Sequence, residues 1–320
     1  MVTFKTVTSG MKNLPFDRRM HPRDANITLW NAPGGWSLRR MDWPQPKGVT
    51  ARGSLVFANG RGDFIEKYLE ALAHWHQRGW NVASFDWRGQ GGSRGDTNGG
   101  HLESFDPLLH DFAAMVTEWI AATPPPHVLL GHSMGGHLLL RLLAQRPQPV
   151  DAAVLVAPMI AINAAPIPAS IGSRVAGAMV SLGWSERRAW KHNERPAPPG
   201  SSRQGFLTSC PDRYADELWW RETQPEYNLG PPTWGWLNAA YGSIASVTAD
   251  QMREIQTPIL ILAAQKDRLV SPTAIRRAGK LLPDVELMMF RDAAHELLRE
   301  SDEIRLAALT RIDSFLDAHA

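Results

Sequence analysis

A chain of 320 residues with 43% hydrophobic content can bury one large core and carry an inserted subdomain as well. Its 34 basic and 32 acidic side chains leave a net charge of +2 and are mixed along the chain, which gives no case for a nucleic-acid groove. The single cysteine, Cys210, excludes an intrachain disulfide, suits a reducing compartment and is not expected to be catalytic.

In chain order, Met1 to Met20 alternates polar and charged residues without the apolar stretch of a secretory signal. No segment reaches the roughly 18 continuous apolar residues of a membrane helix. These two observations predict a cytoplasmic protein. Trp36 to Trp43 predicts an antiparallel lead-in strand, followed by a strand at Ser54 to Phe57, a helix over Phe64 to Arg78, and a strand at Asn81 to Asp86. A helix over Phe105 to Ala122 follows, then a loop at Pro124 to Pro126, a strand at His127 to Leu130, a helix over Gly136 to Gln145 and a strand at Val154 to Ala157. Toward the C-terminus, a strand at Pro258 to Ala264 precedes an amphipathic stretch at Pro272 to Leu282 and a strand at Val285 to Phe290. Apolar strands separated by helices of helical period predict an α/β fold, a mostly parallel sheet covered on both faces.

Between Pro158 and about Asp250 this alternation breaks. The segment holds prolines 196, 198, 199, 211, 225, 231 and 232, and six of the 13 tryptophans: Trp184, Trp190, Trp219, Trp220, Trp234 and Trp236. A structureless loop of that length does not fit a compact domain. The expected organisation is therefore a core of residues 1–158 and 251–320 with a helical cap, 159–250, inserted over the carboxyl ends of the strands, where ligands of α/β folds bind.

The chemistry centres on Gly131, His132, Ser133, Met134 and Gly135, which stand between an apolar strand and a helix. Flanking glycines allow the sharp turn that lifts a serine hydroxyl clear of a sheet. A serine merely capping the helix at Met134 is the plainer alternative. A hydroxyl needs a base to take its proton, and the base needs an acid to orient it. Asp267 follows one downstream strand and His295 lies on the loop after the next, so nucleophile, acid and base fall in the chain order of an α/β-hydrolase. Asp292 is the rival acid, but three residues before His295 on the same loop it would need an unusual reach. An oxyanion needs donors. The backbone NH of Met134 supplies one, and the backbone NH of Arg61, in the loop Ala58, Asn59, Gly60, Arg61, Gly62, is assigned as the second. That glycine-containing loop lacks the lysine and hydroxyl residue of a P-loop. His74 and His76 have no acidic or cysteine partner at ligand spacing, so neither metal nor other cofactor is expected.

These residues carry a resemblance. Asp86, Trp87, Arg88, Gly89, Gln90, Gly91, Gly92, Ser93 is similar to the Asp-x-Arg-Gly-x-Gly-x-Ser signature of the monoacylglycerol lipases and bacterial lysophospholipases, which belong with the serine aminopeptidase-like hydrolases. His295 to Leu298 resembles their histidine segment, and Gly60 and Arg61 with Lys67 and Tyr68 resemble the lysophospholipase form of the oxyanion loop. The resemblance spans about residues 50 to 158 and 255 to 315, and departs from the lipases at Asn59, where they carry histidine. It implies an α/β-hydrolase fold and hydrolysis of carboxylic esters of single-chain lipids, a lysophospholipid or a monoacylglycerol.

On that reading the cap holds the acyl chain. Ile160, Ile162, Ile167, Ile171, Val175, Met179 and Leu182 are its candidate wall residues, with ordinary packing as the alternative for each. The tryptophans admit a peripheral contact of the cap with the inner membrane. Two other functions stay open. A small-ester esterase or an aminopeptidase would use the same triad, the latter with a carboxylate among Glu194, Asp212, Asp216, Glu217 and Glu222 for the amino terminus. A binding protein on the same scaffold would not need all three triad residues. Haloalkane or epoxide chemistry would want an aspartate where Ser133 stands.

Overall fold

Four apolar runs of the sequence become the wholly buried middle of one eight-stranded sheet: β3 (Gly53–Ala58), β5 (His127–His132), β6 (Ala152–Val156) and β7 (Ile259–Ala264). The structure is a computed structural model and describes residues 16–95, 97, 100–163, 168–190 and 197–320. The remaining strands are β1 (Asn26–Asn31), β2 (Ser37–Trp43), β4 (Trp80–Phe85) and β8 (Val285–Phe290). Their order is β1-β2-β4-β3-β5-β6-β7-β8, with β2 antiparallel to both its neighbours, β1 and β4, and the pairings from β4 to β8 all parallel.

Alternation along each central strand feeds two cores. Val128 and Leu130 of β5 point into one and Leu129 into the other, as do Leu260 and Leu262 against Ile261 in β7. Each fully buried leucine or isoleucine contributes about 1.5–3 kcal/mol of transfer free energy. Helices α1 (Leu69–His76) and α10 (Asp302–His319) supply buried residues to one core, α2 (Asp106–Ala122), α3 (Met134–Gln145) and α9 (Pro272–Ala278) to the other. The sheet is thus covered on both faces, as the sequence predicts.

Two elements differ from expectation. The helix expected from Phe64 begins as a 3-10 turn, Ile65–Tyr68, whose first NH, that of Ile65, donates to Asp86 Oδ1 at 2.9 Å. Strand β1 has no counterpart in the sequence reading. It is an edge strand exposed at five of its six positions, and its only alternation is the short Ile27–Leu29 pair.

Between β6 and β7 lie α4 (Ala169–Ser181), α5 (Ser202–Leu207), α6 (Pro211–Thr223), α7 (Trp234–Ala245) and α8 (Ala249–Arg253). Helix α7 is seated on the core: the Trp236 and Phe105 rings lie 5.6 Å apart, and His137 Nε2 meets Ser243 Oγ at 2.7 Å. Helix α4 rests on α7 through small residues. A Cβ added at Gly172 would meet Tyr241 Oη at 2.5 Å, and Ala176 is the one fully buried residue of α4.

Candidate active site

Ser133 stands between β5 and α3 with φ 52° and ψ −113°. A side chain held at positive φ is strained, by about 1–3 kcal/mol, and persists only where its surroundings fix it. They do so here. The Ser133 NH donates to Val156 O at 3.0 Å, while its carbonyl accepts from His137 N and Met159 N at 3.0 and 2.9 Å. Helix α3 comes so close to the end of β3 that a Cβ on Gly135 would lie 2.2 Å from Ala58 O, so glycine is required there. At the first position of α3, the Met134 NH belongs to the turn whose donors have no acceptor within the helix.

The loop after β8 brings His295 to the loop after β7. His295 Nδ1 donates to Asp267 Oδ2 at 2.7 Å, and both side chains are buried. Asp267 Oδ1 accepts from the Leu269 and Val270 NH groups at 2.7 and 3.0 Å, which fixes the carboxylate plane. Burial would raise the Asp267 pKa, but the His295 charge, its hydrogen bond and the two backbone donors outweigh it and hold it below the usual aspartate value. Burial likewise opposes a charge on His295, yet Asp267, Glu296 and Asp63 together raise its pKa above the ordinary 6.5. The rival Asp292 is three-quarters exposed and lies 3.6 Å from Lys266 Nζ.

The loop after β3 passes directly under the serine: a Cβ on Gly60 would sit 3.2 Å from Ser133 Cβ. Its backbone is pinned on either side of Arg61. The Gly60 NH donates to Asp63 Oδ2 at 3.0 Å and the Gly62 NH to Gln90 Oε1 at 2.6 Å. The Arg61 guanidinium donates to Gly230 O at 3.0 Å and stacks over Trp236 at 4.8 Å. Asn59 is fully buried and faces the sheet, donating to Phe85 O at 2.8 Å. The Asp86 to Ser93 segment acts as a bracket for this loop. Asp86 accepts from Ile65 N and Gly92 N at 2.9 and 2.8 Å and from Arg39 Nε at 2.8 Å, and Ser93 Oγ closes the turn on Asp86 O at 2.8 Å.

Sequence reasoning missed what lies behind this loop. Lys67 Nζ is buried 2.6 Å from Asp63 Oδ1, 2.6 Å from Glu296 Oε1 and 3.1 Å from Glu217 Oε2. Arg299 pairs with Glu296 and, at 2.9 Å, with Glu217, while Arg221 reaches Glu217 at 3.0 Å and Gly62 O at 2.8 Å. The signal present in sequence is Asp63 three residues after Gly60 and Lys67 four after Asp63, but its partner Glu217 is some 150 residues away. His132 is buried with Nδ1 donating to Val156 O and its ring 4.8 Å from that of His295. Burial, then the nearby His295 charge, lowers its pKa to about 4, so it is neutral near pH 7.

Of the candidate wall residues, Ile160 and Ile162 are partly buried against the core, and Met179 is half-buried. Ile171 and Val175 are 46% and 44% exposed and Leu182, just past the end of α4, 63%, so they present an apolar surface to solvent. Ile167 and Glu194 lie outside the described residues. Among the remaining carboxylates, Asp212 and Glu222 are exposed, while Asp216 is paired with Arg18 and Arg19 and Glu217 with Lys67, Arg221 and Arg299. Among the described residues, no group of His, Cys, Asp and Glu side chains could hold a metal ion, and no helix is long and apolar enough to cross a membrane.

Residues 49–302 match the family described as Serine aminopeptidase, S33. The chain is 28% identical over 279 residues to a probable lysophospholipase L2 of Haemophilus influenzae, covering 86% of this chain and 87% of the relative. It is 27% identical over 281 residues to lysophospholipase L2 of Escherichia coli K12, covering 83% and 80%. A soluble variant of monoglyceride lipase from Saccharomyces cerevisiae, solved with a substrate analogue, superposes with a TM-score of 0.76 at 17% identity, over 96% of this chain and 99% of that one.

Proposed function

The chain belongs to the serine aminopeptidase S33 family, and from that premise we propose that it is a serine hydrolase cleaving the carboxylic esters of single-chain lipids, lysophospholipids or monoacylglycerols. The observation that carries the reading is the buried His295–Asp267 pair in the same molecule as a strained serine elbow. The names of its lysophospholipase relatives support the substrate class.

In the proposed reaction, Ser133 Oγ attacks the ester carbonyl carbon and its proton passes to His295 Nε2. Asp267 holds the ring with Nδ1–H toward itself and stabilises the imidazolium. The carbonyl oxygen becomes an oxyanion facing the Arg61 and Met134 NH groups. Collapse breaks the bond to the alkoxy oxygen, which takes the proton from His295 and leaves as glycerol or its phosphodiester. Water then attacks the acyl-serine by the same route in reverse, releasing the fatty acid and restoring Ser133.

The β6–β7 insertion is read as the cap. With Ile171, Val175, Leu182 and Trp184 exposed on and just beyond α4, and Arg187 stacked on Trp184 at 4.6 Å, its outer face suits a lipid aggregate as well as a bound acyl chain. Asp216 and Glu217 already neutralise arginines and a lysine, which disfavours their binding a peptide amino terminus. The test is labelling by a fluorophosphonate, followed by turnover of lysophospholipids, monoacylglycerols and aminoacyl amides. Ser133-dependent labelling with hydrolysis of lipid esters is expected. Preferential cleavage of aminoacyl amides would overturn the substrate class.

A further inference from the structure

Burying a carboxylate or an ammonium costs several kcal/mol even after pairing, and buried ion pairs are weak sources of stability. The cluster around Lys67 gathers three carboxylates, Asp63, Glu217 and Glu296, and three cations, Lys67, Arg221 and Arg299, all buried. Apolar side chains could have filled that volume. What the charges supply instead is connectivity. Lys67 ties Asp63, which holds the Gly60 NH beneath Ser133, to Glu296, the neighbour of His295, and to Glu217 on α6 of the insertion. The insertion grips the same histidine loop through backbone as well: His295 N and Glu296 N donate to Phe206 O and Leu207 O at 3.3 and 2.8 Å.

We propose that Lys67 and Glu217 are positioning residues of the hydrolytic reaction, joining the oxyanion loop, the histidine loop and insertion helix α6 into one charge-balanced unit that aligns His295 and sets its basicity. The inference rests on the triad reading above. It makes α6 a fixed part of the catalytic machinery. The titratable groups facing His295 are Asp267 after β7, His132 at the end of β5, Asp63 before the 3-10 turn, and Glu296 on its own loop. Facing Lys67 are Asp63, Glu217, Glu296 and Arg299. Removing Glu217 leaves a net positive charge behind the histidine loop, and removing Lys67 leaves a net negative one.

The test is the rate of fluorophosphonate labelling of the full chain from about pH 5 to 9, compared for the unmodified protein, Glu217→Gln and Lys67→Met. This readout needs only the nucleophile and its base, whatever the substrate. A surplus positive charge disfavours the imidazolium, so the midpoint of labelling in Glu217→Gln should fall by about half a pH unit, and in Lys67→Met it should rise by a similar amount. Midpoints equal to the unmodified protein's in folded variants would overturn the proposal, whatever their loss of stability. Should Lys67→Met fail to fold, Glu217→Gln decides alone. Labelling that is absent in the unmodified protein, or that survives Ser133→Ala, would instead overturn the triad and the inference with it.

Discussion

Gly60 and Ser133 come from loops more than 70 residues apart in sequence, yet a Cβ on the glycine would stand 3.2 Å from that of the serine and 2.6 Å from Asp63 Oδ2. Asp63 cannot swing aside, because Lys67 holds its other oxygen at 2.6 Å. Gly60→Ala should therefore displace the loop that carries Arg61 while leaving the sheet folded. Losing an oxyanion donor lowers turnover by about 10²–10³-fold. A drop in kcat of at least about tenfold with an unchanged circular dichroism spectrum is expected; undiminished kcat would show that this loop does not face the oxyanion.

Asp267 and Asp292 stand on neighbouring loops, and their surroundings separate them. Asp267 is buried against His295, whereas Asp292 is exposed beside Lys266. Asp267→Asn should lower kcat on the order of 10⁴-fold by losing the ring orientation. Asp292→Asn, which removes only a surface pair, should change it by less than about twofold. The reverse ranking, measured on any hydrolysed ester, would transfer the acid's role.

Activity and the His295–Asp267 pair respond oppositely to pH. The His295 pKa is raised, so the stability its charge contributes is fully present below 6.5 and is lost as pH rises through the folded value. The Asp267 pKa is lowered, so its contribution is present above 3.8 and is lost as pH falls through its folded value. As the proposed base, however, His295 must be neutral to take the Ser133 proton. The acid limb of kcat/KM should therefore have its midpoint above 6.5, in a range where thermal stability is already losing the pair's contribution. A midpoint below 6.5 would contradict the environment of His295 described here.

How far the sequence could be read follows from where each interaction lies along the chain. Ser133 and Asp267 were legible because each follows a wholly buried apolar strand, and His295 because it follows the next strand, β8, whose pairing with β7 brings it to Asp267. Lys67 and Glu217 were not, since their meeting depends on how α6 docks, and no local pattern encodes that. Strand β1, exposed at the sheet edge, leaves only the short alternation of Ile27 and Leu29, which the sequence reading does not take for a strand. Helix α10 does carry buried residues at helical spacing, Arg305, Ala308, Leu309, Ile312, Phe315 and Leu316, which a reading centred on strands and their loops passes over. The α4 residues show the limit of a local pattern. Ile171 and Val175 are apolar and helically spaced, which reads as a wall, but the same spacing serves an exposed face equally well.

That exposed face makes substrate length the informative variable. Each methylene buried contributes about 0.8 kcal/mol, so an acyl chain lying along α4 should raise kcat/KM severalfold for each added pair of carbons until the apolar surface ends. An optimum at medium to long chains is expected. Ile171→Trp, which adds bulk to the exposed face of α4, should shorten it. Leu182, just past the end of α4 and 63% exposed, is the residue that tests the proposed contact with a lipid surface. Leu182→Glu should thus weaken binding to anionic vesicles about tenfold or more, while shifting the chain-length optimum little. A profile flat beyond four carbons, with Ile171→Trp silent, would remove the acyl chain from α4. If Leu182→Glu then still weakened vesicle binding, the whole apolar face of the helix would be assigned to the membrane and the enzyme to short esters.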